Sequence, residues 1–451
     1  MEFQKIKLHR SEKNRAAVTQ ITLDDDYNVP DYRQDIVKVI KERGELRFDE
    51  VKAMEGAAWI KGSLLFKVLY RSDKQEGKIS CLRGEIPFQE RLNMDGLSEY
   101  DAVHATGDME DLTIGVINSR KLNVRAVIVL TASSEKEVDE ELTCELSDGS
   151  SYEQNIVEKE ALKLLVVRRD ICRQKSEAVL PSSKPNIREI LWQSMQLRNV
   201  ESRLVEGNIR LSGEILVSIL YNDEEEGEHL SWYETTVPLD AQAECGVMED
   251  DCIWQVQMVP LTMELEVKPD YDGEERILVM ELALDTHIRI WKEEKIRLLT
   301  DLYSLQKEVK PVFRECPLER LLVKNAAKCR MTEQMELKED KEKVLQICSC
   351  EGKVLLERQE IKPDGVLAEG TVEVNILYIT PDDHMPVGAV QEIYPFSQLV
   401  EIPEMSAQAK VELDASLEQL SAVMLDQEHV EIRAAVRLDL IAFVQEVIQN
   451  I

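Results

Sequence analysis

No apolar run in this sequence approaches the roughly 20 residues that a helical membrane span needs. The amino terminus, Met1–His9, alternates like a strand and lacks an apolar signal core, which argues against export. Basic residues are in short supply. Against 87 Asp and Glu stand 55 Lys and Arg, a formal charge of −32. Nucleic acid and anionic membranes both demand clustered Lys and Arg, so neither nucleic-acid binding nor membrane insertion is expected. The charge favours solubility or attachment to a basic protein surface. Neither a GxxxxGK[ST] nor a GxGxxG loop occurs, so nucleotide binding has no support and no cofactor is expected.

Nine cysteines lie singly along the chain, an odd number without framework spacing. They read as reduced thiols of a cytosolic protein. Cys348-x-Cys350 would place both sulfurs on one face of a strand. With no second pair at zinc-finger spacing they read as structural thiols, and no metal site is expected. Six histidines are isolated, none beside a Ser or Cys in a nucleophile motif. Acidic pairs occur everywhere, so a glycosidase-type pair does not stand out from background. Glu224–Glu226 and Asp382–His384 read as solvated hairpin loops, with an opportunistic cation site as the alternative.

What the sequence does have is one stretch in three copies: Gly62–Tyr70, Gly213–Tyr221 and Gly370–Tyr378. Leu64, Phe66 and Val68 align with Ile215, Val217 and Ile219, and with Val372, Val374 and Ile376. Being alternate residues, they fall on one face of a strand. The other face, with Ser63, Glu214 or Thr371 and Lys67, Ser218 or Asn375, looks wet. A proline follows each tyrosine after seventeen residues, at Pro87, Pro238 and Pro395, and Phe88, Leu239 and Phe396 come next. Upstream, Ile36, Ile187 and Val344 align, as do Val39, Ile190 and Ile347. Their i, i+3 spacing suggests a short helical turn. The tyrosines invite a ligand reading; the plainer one is a strand-end ring whose hydroxyl donates to backbone. The Pro-Phe or Pro-Leu pair reads as the start of an edge strand.

Ungapped correspondence over about fifty residues marks a triplicated domain. Residues 1–132 form repeat one, 133–160 an acidic connector, 161–292 repeat two, 293–317 a second connector and 318–451 repeat three. Ala102–Ile117 reads as a further strand pair. Pro269–Gly273 reads as a hairpin tip that delays the closing strand of repeat two. The expected fold is mainly β: three tandem antiparallel β-sandwich-like domains, each with a short helical turn and each folding nearly alone.

The turn, the G-x-(aliphatic)-LY strand and the later Pro-Phe together resemble the SPOCS domain, found in tandem in spore-coat and SipL-like spore-morphogenesis proteins. Thr300-Asp-Leu-Tyr-Ser304 resembles the element that follows those domains. The resemblance implies a non-enzymatic scaffold in the mother-cell cytoplasm, at the forming spore surface. Its partners would be spore-coat morphogenetic proteins, including a basement-layer ATPase of the SpoIVA type. Family members engage that ATPase through a LysM module, and no sequence of that kind is visible after Phe443. Two other readings stay open: a hydrolase acting on cortex or coat polysaccharide through a carboxylate pair, and a generic tandem β-domain adhesion protein.

Overall fold

The computed structural model describes residues 2–451 except 73–76, 148–151, 225–228, 250, 307, 339–340, 404 and 407. Its elements are strands, and no helix occurs among the described residues. Repeat one comprises β1 (Phe3–Asn28), β2 (Lys38–Met54), β3 (Ala57–Arg71), β4 (Ile79–Asn93), β5 (Val103–Asn118) and β6 (Lys121–Leu146). Repeat two comprises β7 (Glu153–Val179), β8 (Ile187–Val205), β9 (Asn208–Asp223), β10 (Leu230–Glu244), β11 (Cys252–Pro269) and β12 (Glu275–Tyr303). Repeat three comprises β13 (Arg314–Glu336), β14 (Gln346–Lys362), β15 (Gly365–Ile379), β16 (Val387–Glu401), β17 (Lys410–Met424) and β18 (His429–Asn450).

Each set of six forms two antiparallel three-stranded sheets. In repeat one the orders are β2-β3-β4 and β1-β6-β5, and the other repeats follow the same plan. The Gly-to-Tyr stretch is always the middle strand of its sheet. Leu64, Phe66, Val68 and Tyr70 bury against Leu122, Val124, Ala126, Ile128 and Leu130 of the long closing strand, so both sheets share one core. Equivalent residues build the core of repeat three, from Val372 through Tyr378 against Val430 through Leu440. Period-two alternation produces this directly, since every second side chain turns inward.

Several expectations need correction. The helical turn is absent. Ile36 lies just before β2 and Val39 within it, with a bend at Val37 between them, and both pack in the core of repeat one; a β-bulge follows at Ile40. The same bulge recurs at Leu191 and Cys348. The bend between Ile36 and Val39 lets both turn to the core at a spacing of three, as on a helix. The acidic stretch after Ser133 is strand as well. It forms the far half of β6, paired with Gln4–Ala16 of β1. Residues 293–303 likewise belong to β12, and residues from Arg314 onward to β13. Their acidic residues alternate with inward ones, so polar composition conceals a half-buried ladder. Ala102–Ile117 supplies one strand, β5, rather than two. At Pro269–Gly273 the chain does turn tightly, with Gly273 at φ +84° and its N–H donating to the Asp270 carbonyl (3.1 Å).

The repeats are not beads on a string. Leu69, Leu220 and Leu377, each one residue before a repeated tyrosine, gather with Ile79, Leu191, Cys348, Val387 and Trp192 in one cluster. The long strands build a second common cluster from Leu8, Leu142, Ala161, Ile296, Leu298, Cys316, Leu318 and Ile448. Three units related by sequence therefore meet around one centre. The face of the Gly-to-Tyr strand expected to be wet is partly covered for that reason, with Ser63 and Ser218 buried.

Candidate functional site

The repeated sequence positions serve the fold. Gly62, Gly213 and Gly370 each lie beside a bulge in the neighbouring strand. A Cβ there would fall 2.4 Å from the Arg47 carbonyl oxygen, 2.9 Å from that of Arg198 and 2.2 Å from that of Leu355. Backbone cannot give way as a side chain can, so only glycine fits. Phe88, Leu239 and Phe396 stand directly across the ladder from these glycines. Pro87, Pro238 and Pro395 lie on β4, β10 and β16, which are edge strands, where a missing N–H costs no ladder bond. Tyr70, Tyr221 and Tyr378 are fully buried. Their hydroxyls donate to the carbonyls of Gln34, Pro185 and Glu342, each at 3.1 Å. Burial raises all three phenols, to about 12 in Tyr221 and Tyr378. With rings in the core and hydroxyls spent on backbone, they offer no ligand contact.

What the sequence did not reveal is a polar junction at the common centre. Lys41, Trp192 and Ser349 are equivalent positions, opposite Leu69, Leu220 and Leu377 in their ladders; Arg43, Ser194 and Glu351 are the equivalent set two residues on. Glu351 of repeat three accepts from Lys41 Nζ (3.0 Å) and Arg43 (3.2 Å) of repeat one, and from Trp192 Nε1 (3.0 Å) of repeat two. Burial acts to raise the Glu351 carboxyl, but Lys41 and Arg43 beside it hold it below the ordinary range. Lys41 and Lys67 lie 5.2 and 5.0 Å from the Trp192 ring centroid, on cation–π geometry. Burial pulls the Lys67 ammonium down to about 8. Gln196 Nε2 adds a bond to the Cys350 carbonyl (3.2 Å), and Arg198 one to the Leu420 carbonyl (2.7 Å). The signal in the sequence was a pair of aligned positions that read Lys, Trp and Ser, and two residues on Arg, Ser and Glu, in the three copies.

A second polar cluster joins repeats one and two. His287 Nε2 lies 3.1 Å from Glu135, which also accepts from the Ser11 hydroxyl. Burial works to raise Glu135, and the bonds from His287 and Ser11 prevail, taking it down to about 2. His104 is driven down to about 4 by burial, with Arg169 and His287 nearby adding repulsion. Ser, His and a carboxylate do come together here, but the carboxylate stands in the middle. A nucleophilic triad needs the imidazole between hydroxyl and carboxylate to take the hydroxyl proton. This order cannot activate Ser11.

Cys348 and Cys350 do not share a face. The bulge at Cys348 turns it to the common centre, while Cys350 enters the core of repeat three. Burial pushes both thiols up to about 12, so neither is a ready thiolate. Among the described residues no group of three or more His, Cys, Asp or Glu is arranged to hold a metal. Asp382–His384 forms a turn in which Asp382 Oδ1 accepts from the His384 N–H (2.9 Å); Glu225 and Glu226 lie outside the described residues. No helix of the described residues is long and apolar enough to cross a membrane.

Comparison with known proteins gives one family. Residues 35–117 and 343–425 match the family model described as SipL, SPOCS domain. The matched spans take in β2–β5 of repeat one and β14–β17 of repeat three. No curated protein and no solved structure matches the chain. Both matched spans carry the bulge, glycine and tyrosine that recur in all three repeats, and the chain thus carries SPOCS domains in tandem.

Proposed function

We propose that this protein is a non-enzymatic scaffold for spore-envelope assembly, holding other spore-coat morphogenetic proteins in the mother-cell cytoplasm at the forming spore surface. The family match supports a sporulation-related role. The observation that carries the scaffold reading is the fate of the convergent polar groups. Lys41, Arg43, Trp192 and Glu351 are buried or half-buried and satisfy one another across three repeats. Chemistry that acts on a substrate needs unspent groups lining an open site. A network spent on internal contacts instead holds three binding surfaces at fixed relative positions, so modest contacts to several partners reinforce one another.

Deletion of the gene in the sporulating organism tests this. Spores with detached or missing coat are expected, and fully coated spores would remove the reading. Capture from sporulating cells with the full chain as bait should recover coat morphogenetic proteins.

A further inference from the structure

Repeats one and two leave a crevice of about 370 Å³ between β1 and β6 on one side and β7 and β12 on the other. Of its apolar lining, Ile6 is half-buried, while Leu8 and Ile296 are buried in the cluster beneath. Its charged lining is Lys7, Lys163, Lys295 and Arg297 against Glu145 and Glu294, four basic residues to two acidic. The whole chain has the opposite balance, 55 to 87. Both carboxylates are taken, Glu145 by Arg297 at 3.3 Å and Glu294 by Lys163 at 3.8 Å. Lys7 and Lys295 are exposed and make no ion pair among the described residues. Glu141, opposite Lys7 on its ladder, is held by Lys5 (3.2 Å). Glu160, opposite Lys295, lies outside the lining.

The threefold plan supplies an internal control. The ladder pair Lys7–Glu141 corresponds to Glu158–Arg297 and to Glu315–Gln449, and the pair His9–Asp139 corresponds to Glu160–Lys295 and to Pro317–Val447. Where repeat one has Lys7, the other repeats have Glu158 and Glu315. Where repeat two has Lys295 and Arg297, repeat one has Asp139 and Glu141 and repeat three Val447 and Gln449. Charge is thus reversed at the positions that meet in this crevice, and Lys7 lies on an edge strand of its sheet, since β1 pairs only with β6.

From this juxtaposition we propose that the crevice between repeats one and two docks an acidic peptide segment of a partner protein, its carboxylates on Lys7 and Lys295 and an aliphatic side chain against the half-buried Ile6. Carboxylates fit the two unspent ammonium groups, and the apolar surface of Ile6 beside them favours a peptide over a bare anion. The inference deepens the scaffold reading and rests on it; an idle crevice would leave that reading standing, because other surfaces could carry it.

The test is fluorescence anisotropy of the full chain with a labelled Glu-Leu-Glu-Leu-Glu peptide at low ionic strength. Saturable binding is expected, falling at least tenfold in the double variant Lys7→Glu with Lys295→Glu. Lys52→Glu, on a distant strand and paired with Glu50, should bind as the parent does, and matched thermal melts establish that all variants fold. Absence of saturable binding, or equal affinity in the double variant, would overturn the proposal. Displacement of the peptide by an equal concentration of inorganic phosphate would overturn it in favour of a simple anion site.

Discussion

Repeat two differs from its neighbours where its two sheets meet edge to edge. In repeats one and three, β2 runs close along β5 and β14 along β17; in repeat two, β8 and β11 barely approach. Side-chain volume accounts for the difference. Gly44 and Gly352 leave room for residues arriving from the opposite edge: a Cβ at Gly44 would fall 2.5 Å from Met109 Cε, and one at Gly352 2.6 Å from Leu420 Cδ2. The equivalent residue of repeat two, across the ladder from Val217, is Met195. On the facing edge, Gly107 and Ala415 correspond to Met258. Two methionines in place of small residues hold the edges apart. Repeat three works its way in at this seam, through the Arg198 bond to the Leu420 carbonyl and the Gln257 bond to Asp414 (3.3 Å). A copy of the domain can thus spend its own closure on attaching another.

Breaking the centre on which all three copies depend should have the largest effect. Glu351→Ala strands the buried Lys41 without its counter-charge and leaves Arg43 only Glu45, and loss of one buried partner costs about 3–5 kcal/mol. Chemical denaturation should show it as a lowered midpoint. An unchanged midpoint would mean the copies stand independently after all.

Next comes a substitution that makes repeat three imitate repeat two. Gly352→Met forces a long side chain against Leu417 and Leu420, and overpacking of this kind costs about 1–3 kcal/mol. Faster hydrogen exchange should be confined to β14 and β17. If exchange in those strands stays slow, side-chain volume does not set the seam.

Where the copies agree, their responses should agree too. Tyr70→Phe, Tyr221→Phe and Tyr378→Phe each remove one hydroxyl-to-carbonyl bond of the same length, worth about 0.5–1.5 kcal/mol. Equal losses are expected from three separate denaturation curves. A much larger loss in one would give that tyrosine a further duty.

The mildest effect concerns pH at the junction of repeats one and two. His104 titrates lower in the folded protein, about 4, than its ordinary 6.5. The unfolded chain therefore binds its proton first, and stability present above 6.5 is lost as pH falls toward 4. The parent should melt lower at pH 5 than at pH 7, and His104→Asn should show a smaller difference. The neighbours sensed by that imidazole are Arg169, His287, Asp285 and Glu135. Glu135, held at about 2, contributes its own loss only below its ordinary 4.5.

Much of the fold could be read from residues because the governing period is local. Alternation along Gly62–Tyr70 is enough to place Leu64, Phe66 and Val68 inside. The missing helical turn shows the limit, since a bend at Val37 and a helix both leave apolar residues three apart. The strands hidden in the acidic stretch after Ser133 failed for a related reason. Their inward residues, such as Leu142, pack on other repeats, and composition averages this away. The centre was illegible on different grounds. Lys41, Trp192 and Glu351 lie far apart in sequence and become partners only when three copies close around them, and no single copy carries the pattern.

The inequality of that centre has a consequence for how the molecule can be assembled. Three copies of repeat one would bring three lysines and three arginines to one spot, three of repeat two three indoles, and three of repeat three three carboxylates without a counter-charge. Only a mixed set gives every charge its complement. Each copy therefore has an assigned seat, and neither a trimer of one copy nor a chain with two copies exchanged could rebuild the same middle. A single polypeptide is what fixes the seating order.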